Sequence, residues 1–206
     1  MEYIKLNVGD MDENCYIAYE NGVGFAVDPG ADALRIKNEA ERRGILISAI
    51  FLTHGHFDHV GAVKELKEHY SAKVYMSLAD NYMTENPEMN LNFGAYSRFD
   101  GFKGDVFPDD GQEIYVGTMK VKVFKTPGHT QGGLSYLCGK YMFSGDTLFK
   151  GTVGRTDFPG GDFEQLMLSL KRVYFTLPDD TIILPGHNEI TDIATEKKEN
   201  PYFLQL

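Results

Sequence analysis

Thr53-His54-Gly55-His56-Phe57-Asp58-His59 carries three histidines and one aspartate within six residues. Imidazole and carboxylate are the donors that zinc and its first-row neighbours take from proteins. The apolar run Ala49-Ile50-Phe51-Leu52 before it reads as a buried strand, and Val60 to Lys67 after it reads as a helix. The donors therefore occupy a strand-to-helix turn at the carboxyl end of a strand, where open α/β sheets place their sites. If the turn starts extended, spacing by two sends His54 and His56 to one side. Asp58 and His59 then point elsewhere, which suits a second metal better than extra ligands on the first. The stretch reads as a metal site.

Working outward, the 206 residues suit one domain, spanning 1–206, with a sizeable core. Twenty basic against thirty acidic side chains leave a formal charge of −10, which argues against nucleic acid as a partner. Cys15 and Cys138 are too few for a disulfide framework and read as packed, reduced thiols. Met1 to Leu6 lacks the basic leader and apolar core of a signal peptide. No apolar run reaches the roughly 18 residues of a spanning helix. The expectation is a cytoplasmic protein with no membrane partner.

Upstream of the motif, residues 2–8 read as a strand, and 14–19 with 24–27 as a hairpin closed at Asn21-Gly22. Asp28, at the end of that hairpin, is expected near the metals as an acceptor behind the ligands. Asp32 to Arg43 reads as a helix stopped by Gly44. Downstream, 73–76 reads as a strand and His69 as a helix-end cation rather than a ligand. Residues 86–112 have no period and read as a functional or lid-like segment carrying Arg98 and Lys103. Strands follow at 114–116, 120–124, 134–138 and 141–143. The glycine-rich loop 151–161 lacks the lysine and helix of a phosphate cradle. Asp162 caps a helix whose Phe163, Leu166, Met167, Leu170, Val173 and Tyr174 form a core stripe. A last strand, 181–184, and a short helix, 192–199, complete the chain.

His129, Asp146 and His187 each directly follow one of these strands. His54, His56 and His129 make one three-imidazole face; Asp58, His59 and His187 make a second; Asp146 is left as the bridge between two cations. Two ions ~3.5–4 Å apart generate hydroxide at neutral pH and polarise a carbonyl. No serine or cysteine has an obvious base partner, so the chemistry implied is metal-assisted hydrolysis.

The set Thr-His-Gly-His-Phe-Asp-His (53–59), Pro-Gly-His-Thr (127–130), Ser-Gly-Asp-Thr-Leu-Phe (144–149) and Pro-Gly-His (185–187) resembles the metallo-β-lactamase superfamily over essentially the whole chain. That resemblance implies an α/β fold, a four-layered αββα sandwich, with metal ligands at His54, His56, Asp58, His59, His129, Asp146 and His187. Asp146 in place of a cysteine, His59 after Asp58, and Gly154-Arg155-Thr156-Asp157-Phe158 are similar to the glyoxalase II branch. This implies a binuclear hydrolase of hydroxyacyl thioesters, holding two divalent ions, zinc first, with iron and manganese as alternatives. Asp58 is implied to orient the hydroxide, and Arg155 with Lys150 to bind the substrate, Arg98 and Lys103 adding to a basic rim. The sequence departs from the long enzymes in stopping soon after His187, without their C-terminal helical domain, and in carrying Asp157 where they place an aromatic. Persulfide dioxygenases also resemble the first motif and Gly-Arg-Thr-Asp-Phe; on that alternative a single iron sits on His54, His129 and Asp146.

Overall fold

The computed structural model describes residues 1–92 and 101–206. The first half builds β1 (Glu2–Val8), β2 (Glu13–Glu20), β3 (Val23–Val27), α1 (Ala33–Arg42), β4 (Leu46–Phe51), α2 (Phe57–Val60), α3 (Val63–Tyr70) and β5 (Lys73–Tyr75). The second builds β6 (Glu113–Val116), β7 (Met119–Lys125), β8 (Leu134–Cys138), β9 (Tyr141–Gly145), β10 (Leu148–Phe149), β11 (Thr152–Val153), α4 (Phe163–Arg172), β12 (Ile182–Pro185), β13 (Thr191–Asp192) and α5 (Ile193–Glu199). One sheet runs β1-β2-β3-β4-β5 and the other β13-β12-β9-β8-β7-β6, with β10 and β11 as a separate ribbon.

Alternation along the strands dictates the layers, because successive side chains leave a strand on opposite faces. In β2, Tyr16 and Ala18 face the second sheet while Cys15 and Ile17 face α1 and α3. In β4, Ala49 and Phe51 point inward between the sheets and Ile47 and Ile50 outward to the same helices. Phe143 and Leu184 fill the space between the sheets, whereas Met142 and Ile183 meet α4 and α5. Strands buried on both faces read as continuous apolar runs, as these do. Three cores between four layers give the αββα sandwich.

Strand direction then collects the polar loops. β3 and β4 are parallel, β9 and β12 are parallel, and β7 runs with β9 because β8 is antiparallel to both. The carboxyl ends of β3, β4, β7, β9 and β12 thus deliver Asp28, His54, His129, Asp146 and His187 to the rim of the sandwich. Tyr16 Oη and Asn14 Nδ2 donate to the Pro185 carbonyl at 2.8 and 2.9 Å, and Leu134 N donates to the Thr53 carbonyl at 2.7 Å. These bonds tie the two sheets together at the end that carries the site.

Two expectations are corrected. The helix after the motif begins at Phe57 rather than Val60 and breaks before Val63. Gly61 packs against the Gly30 carbonyl so closely that a side chain there would lie 2.3 Å from it, which fixes the break. Phe163, assigned to the core stripe, is about half exposed, because the apolar period of α4 starts at Leu166. The Asp162 cap does form, accepting from Gln165 N at 3.0 Å. Within 86–112, read as functional or lid-like, residues 101–112 pack beside β5: Val106 N donates to the Val74 carbonyl at 3.0 Å and Met76 N to the Val106 carbonyl at 3.1 Å. They cover the open edge of β5, a standard protection for an edge strand. Arg98 lies outside the described residues. No helix among the described residues is long and apolar enough to cross a membrane.

Candidate metal centre

His54 leaves the end of β4 buried, and its neighbour fixes its tautomer. Thr53 Oγ1 donates to Asp28 Oδ2 at 2.6 Å, so it accepts from His54 Nδ1 at 3.0 Å. The His54 Nε2 lone pair is thereby turned into the site, where it has no protein partner. His129 is aimed in the same way: Nδ1 donates to the Arg155 carbonyl at 2.7 Å, leaving Nε2 inward. His56 Nδ1 faces His129 Nε2 at 3.0 Å. Two imidazole nitrogens turned toward each other beside a third is the arrangement that ligands of one cation take. Donor atoms of His54, His56 and His129 all fall within 4.8 Å of one another.

The second cluster hangs from α2 and the end of β12. His59 Nδ1 donates to Asp28 Oδ2 at 3.0 Å, and its Nε2 lies buried, without a partner, 3.4 Å from Asp146 Oδ1 and 3.7 Å from Asp58 Oδ2. His187 Nε2 is 3.2 Å from Asp58 Oδ2. Asp58, His59 and His187 also bring donors within 4.8 Å of one another. Asp146 stands between the clusters, with Oδ2 3.6 Å from His129 Nε2 and 3.8 Å from His187 Nε2. The absence of a side chain at Gly186 makes this possible: a Cβ there would sit 2.5 Å from Asp146 Oδ1 and 2.6 Å from His59 Cε1.

The electrostatics follow from burial and crowding. Burial, helped by the neighbouring histidines, holds His54 well below the usual imidazole range and pushes His56 down to about 3, so both stay neutral and able to donate a lone pair. Burial opposes the charge on Asp58, but His59 and the bond from His187 outweigh it and keep the carboxyl ionised below its ordinary range. Burial likewise opposes a charge on His59, yet Asp146, Asp58 and Asp28 raise its pKa well above normal. A carboxylate group that draws a proton onto a fully buried imidazole is one that recruits positive charge. The unpartnered His54 Nε2, His59 Nε2 and Asp146 Oδ1 all converge here, and buried polar atoms without partners are rare unless something else binds them. The donor set suits divalent cations.

All seven residues expected as ligands are thus brought together, and Asp28 lies directly behind them. His69 stands apart, paired with Glu41 at 2.9 Å. Arg155 is on the cavity wall, whereas Lys150 is not among the residues that line it and pairs with Glu189. Lys103 lies 3.6 Å from Glu85. Three contributors escaped the sequence reading. Thr53 orients His54 and was quoted without a role. Asp80 is buried and accepts from Thr130 Oγ1 at 2.7 Å and Gly132 N at 2.8 Å, holding the His129 loop. Glu13 is fully buried 3.8 Å from His59 Nδ1, with burial raising its pKa well above the carboxylate range. Nothing in a strand-opening glutamate signals such a place. A cavity of about 570 Å³ opens over the cluster, walled by Met11, Phe57, Leu91, Phe149 and Phe158.

Residues 8–187 match the family described as Metallo-beta-lactamase superfamily. The chain is 36% identical to the hydroxyacylglutathione hydrolase GloC of Haemophilus influenzae, over 92% of each. Among solved structures it is similar to the BLEG-1 B3 metallo-beta-lactamase, with 33% identity and a TM-score of 0.93 over 98% of this chain and 99% of that one. It is also similar to ETHE1 from Myxococcus xanthus, with 30% identity and a TM-score of 0.83 over 100% of this chain and 89% of that one.

Proposed function

The chain belongs to the metallo-beta-lactamase superfamily, and from that premise we propose that it is a binuclear metal-dependent hydrolase of thioesters, acting on a hydroxyacyl-thiol of the S-lactoylglutathione kind. The observation that carries the reading is the Asp146 carboxylate, one oxygen toward His59 and the other toward His129 and His187. His54, His56 and His129 would hold one divalent ion and Asp58, His59 and His187 the other, with Asp146 placed between the two groups. Zinc suits these imidazole and carboxylate donors, and iron and manganese are accepted by the same set. Such ions supply Lewis acidity at the carbonyl and a water acidified to about neutral pH.

The chain's own groups do the rest. Asp58, kept ionised, accepts a hydrogen bond from the attacking water and aims it. Thr53, Asp28 and the Arg155 carbonyl fix the imidazoles, which lowers the reorganisation needed when charge develops. The apolar wall of Met11, Phe57 and Phe149 excludes bulk water around the scissile bond. A thiolate, with a conjugate-acid pKa of about 8.5, leaves without a dedicated proton donor. That agrees with a cavity whose histidines are all committed to the cluster.

The likeness to the GloC hydrolase supports the thioester; the likeness to the BLEG-1 lactamase names the competitor that must be tested beside it. The decisive measurement is metal content of the purified protein, with kcat/KM for lactoyl-glutathione, other acyl-thiols, a lactone and a β-lactam. Two ions per chain and preference for thioesters are expected. A higher kcat/KM for the lactam or lactone removes the substrate class, and one ion in the fully active chain removes the bridging role of Asp146. The resemblance to ETHE1 favours a second reading, a mononuclear iron persulfide dioxygenase using His54, His129 and Asp146. Oxygen uptake with a persulfide would establish it in place of hydrolysis.

A further inference from the structure

The wall of the cavity carries a cation that is already engaged. Arg155 Nε donates to Asp157 Oδ1 and Nη2 to Asp157 Oδ2, both at 2.7 Å. That two-pronged edge is the one a ligand carboxylate would take. The guanidinium cannot easily turn away, because it stacks 4.0 Å above the Phe158 ring, which in turn stands edge-on to His56 at 5.8 Å. The Arg155 carbonyl is pinned to His129. Lys150 and Lys5 are not among the residues that line the cavity: Lys150 is paired with Glu189, and Lys5 Nζ donates to the Asn188 carbonyl at 3.1 Å. The rest of the wall that would meet the thiol arm is apolar, through Leu91, Phe149 and Val153.

We infer that Asp157 is a specificity-determining residue: it occupies the anion-binding edge of Arg155, so the site accepts thioesters whose thiol carrier is uncharged there and disfavours carriers bearing a carboxylate. This rests on the thioester reading and narrows it: the hydroxyacyl group of an S-lactoylglutathione-like substrate is kept, and the carrier the site prefers is less anionic than glutathione. An incoming carboxylate competes with a partner two residues away in the chain, which is present at a high effective concentration. It also meets the residual negative field of Asp157 itself. Both residues are more than half exposed, so the pair is no scaffold of the fold, and its effect is on the ligand rather than on stability.

The test uses the metal-loaded protein, Asp157→Asn, and the double variant Asp157→Asn with Arg155→Met. Two lactoyl thioesters are compared, one on glutathione and one on uncharged N-acetylcysteamine. In the parent chain KM is expected to be lower for the uncharged carrier. Asp157→Asn should lower KM for the glutathione thioester by up to about fivefold, the upper end of what an exposed charge pair contributes, with kcat and the uncharged KM unmoved. The double variant should lose that gain. An unchanged or raised KM for the anionic thioester in Asp157→Asn overturns the inference and leaves Asp157 as a loop clasp. Equilibrium binding of S-methylglutathione, which has no thioester to cleave, reads the same contrast independently. If no thioester is hydrolysed but Asp157→Asn still binds this probe more tightly, the hydrolase reading fails and the role of Asp157 stands; equal binding by both proteins overturns the role whatever the reaction.

Discussion

Asp146 is the side chain that stands between the two clusters, its oxygens lying within 3.8 Å of imidazoles from both. Asp146→Ala removes a donor from each proposed ion at once. Metal content should fall from two ions per chain to one or none, and kcat by about 10²–10³-fold or more, the scale of losing one organised electrostatic contact. Elemental analysis beside kinetics checks it; two retained ions would make Asp146 a neighbour rather than a ligand. The seven candidate ligands were readable because histidine and aspartate at strand ends have few other uses in such number. Thr53 and Glu13 were not. A threonine before a histidine and a glutamate opening a strand have many ordinary roles, and only the fold puts one behind His54 and the other 3.8 Å from His59. Arg155 was legible as a cation, but its engagement by Asp157 depends on loop geometry that spacing does not specify.

Among the elements, α2 is held where it is by an absent side chain. A Cβ on Gly30 would lie 1.6 Å from the Asp58 carbonyl, so Gly30→Ala must push the first turn of α2 outward. Overpacking of this kind costs about 1–3 kcal/mol, and a loss of 1 kcal/mol lowers Tm by roughly 2–4 °C in a chain of this size. Because Asp58 and His59 ride on that turn, metal occupancy of the second site should drop further than Tm alone accounts for. Thermal melts with elemental analysis separate the two effects; an unshifted Tm would mean that the loop gives way freely. The longer strands were legible from apolar runs and the Asn21-Gly22 turn, as was α4 from its cap, whereas the two-residue β10, β11 and β13 were not, being too short to show a period. The start of α2 was not, because Phe57 and Asp58 look like loop residues until Gly61 is seen against Gly30. Phe163 misled for a simpler reason: an aromatic at the first position of a helix continues the period in sequence while facing solvent in space. On β8, burial pushes the Cys138 thiol up to about 11 from its ordinary 9.0. The folded state therefore keeps a proton that the unfolded chain loses, and the sign is set: this contribution is whole below pH 9.0 and is lost as pH rises through about 11. Alkylation at pH 8 should be slow in the native protein and fast in urea; rapid native labelling of Cys138 would mean the thiol is not held in that environment.

For the whole molecule, the two sheets meet at a rim that concentrates Glu13, Asp28, Asp58 and Asp146 among five histidines, drawn from the start of β2, the turn from Thr53 into α2, and the segments after β3, β7, β9 and β12. The three apolar cores would hold a sandwich without this cluster, and their alternation is what made the layers follow from the strands. The cluster itself is a cost to the fold, because unpartnered buried donors and acceptors lose water without gaining a bond. Divalent ions reverse that cost only in the native state, since the unfolded chain scatters the ligands along 134 residues from His54 to His187. Binding must therefore appear as stability. At a free metal concentration ~1,000 times Kd, one site adds about 4.1 kcal/mol, which for a chain of this length corresponds to roughly 8–16 °C in Tm. Stripping the protein with a chelator and restoring zinc, iron or manganese in turn should give a Tm that rises with metal concentration, and two ions should be bound at saturation. Magnesium, which takes oxygen donors and keeps its waters, should give a far smaller shift at the same concentration. A Tm unmoved by zinc, iron and manganese alike would mean that the imidazole and carboxylate cluster closes on itself, and the binuclear reading would fall with it even if the fold assignment stood.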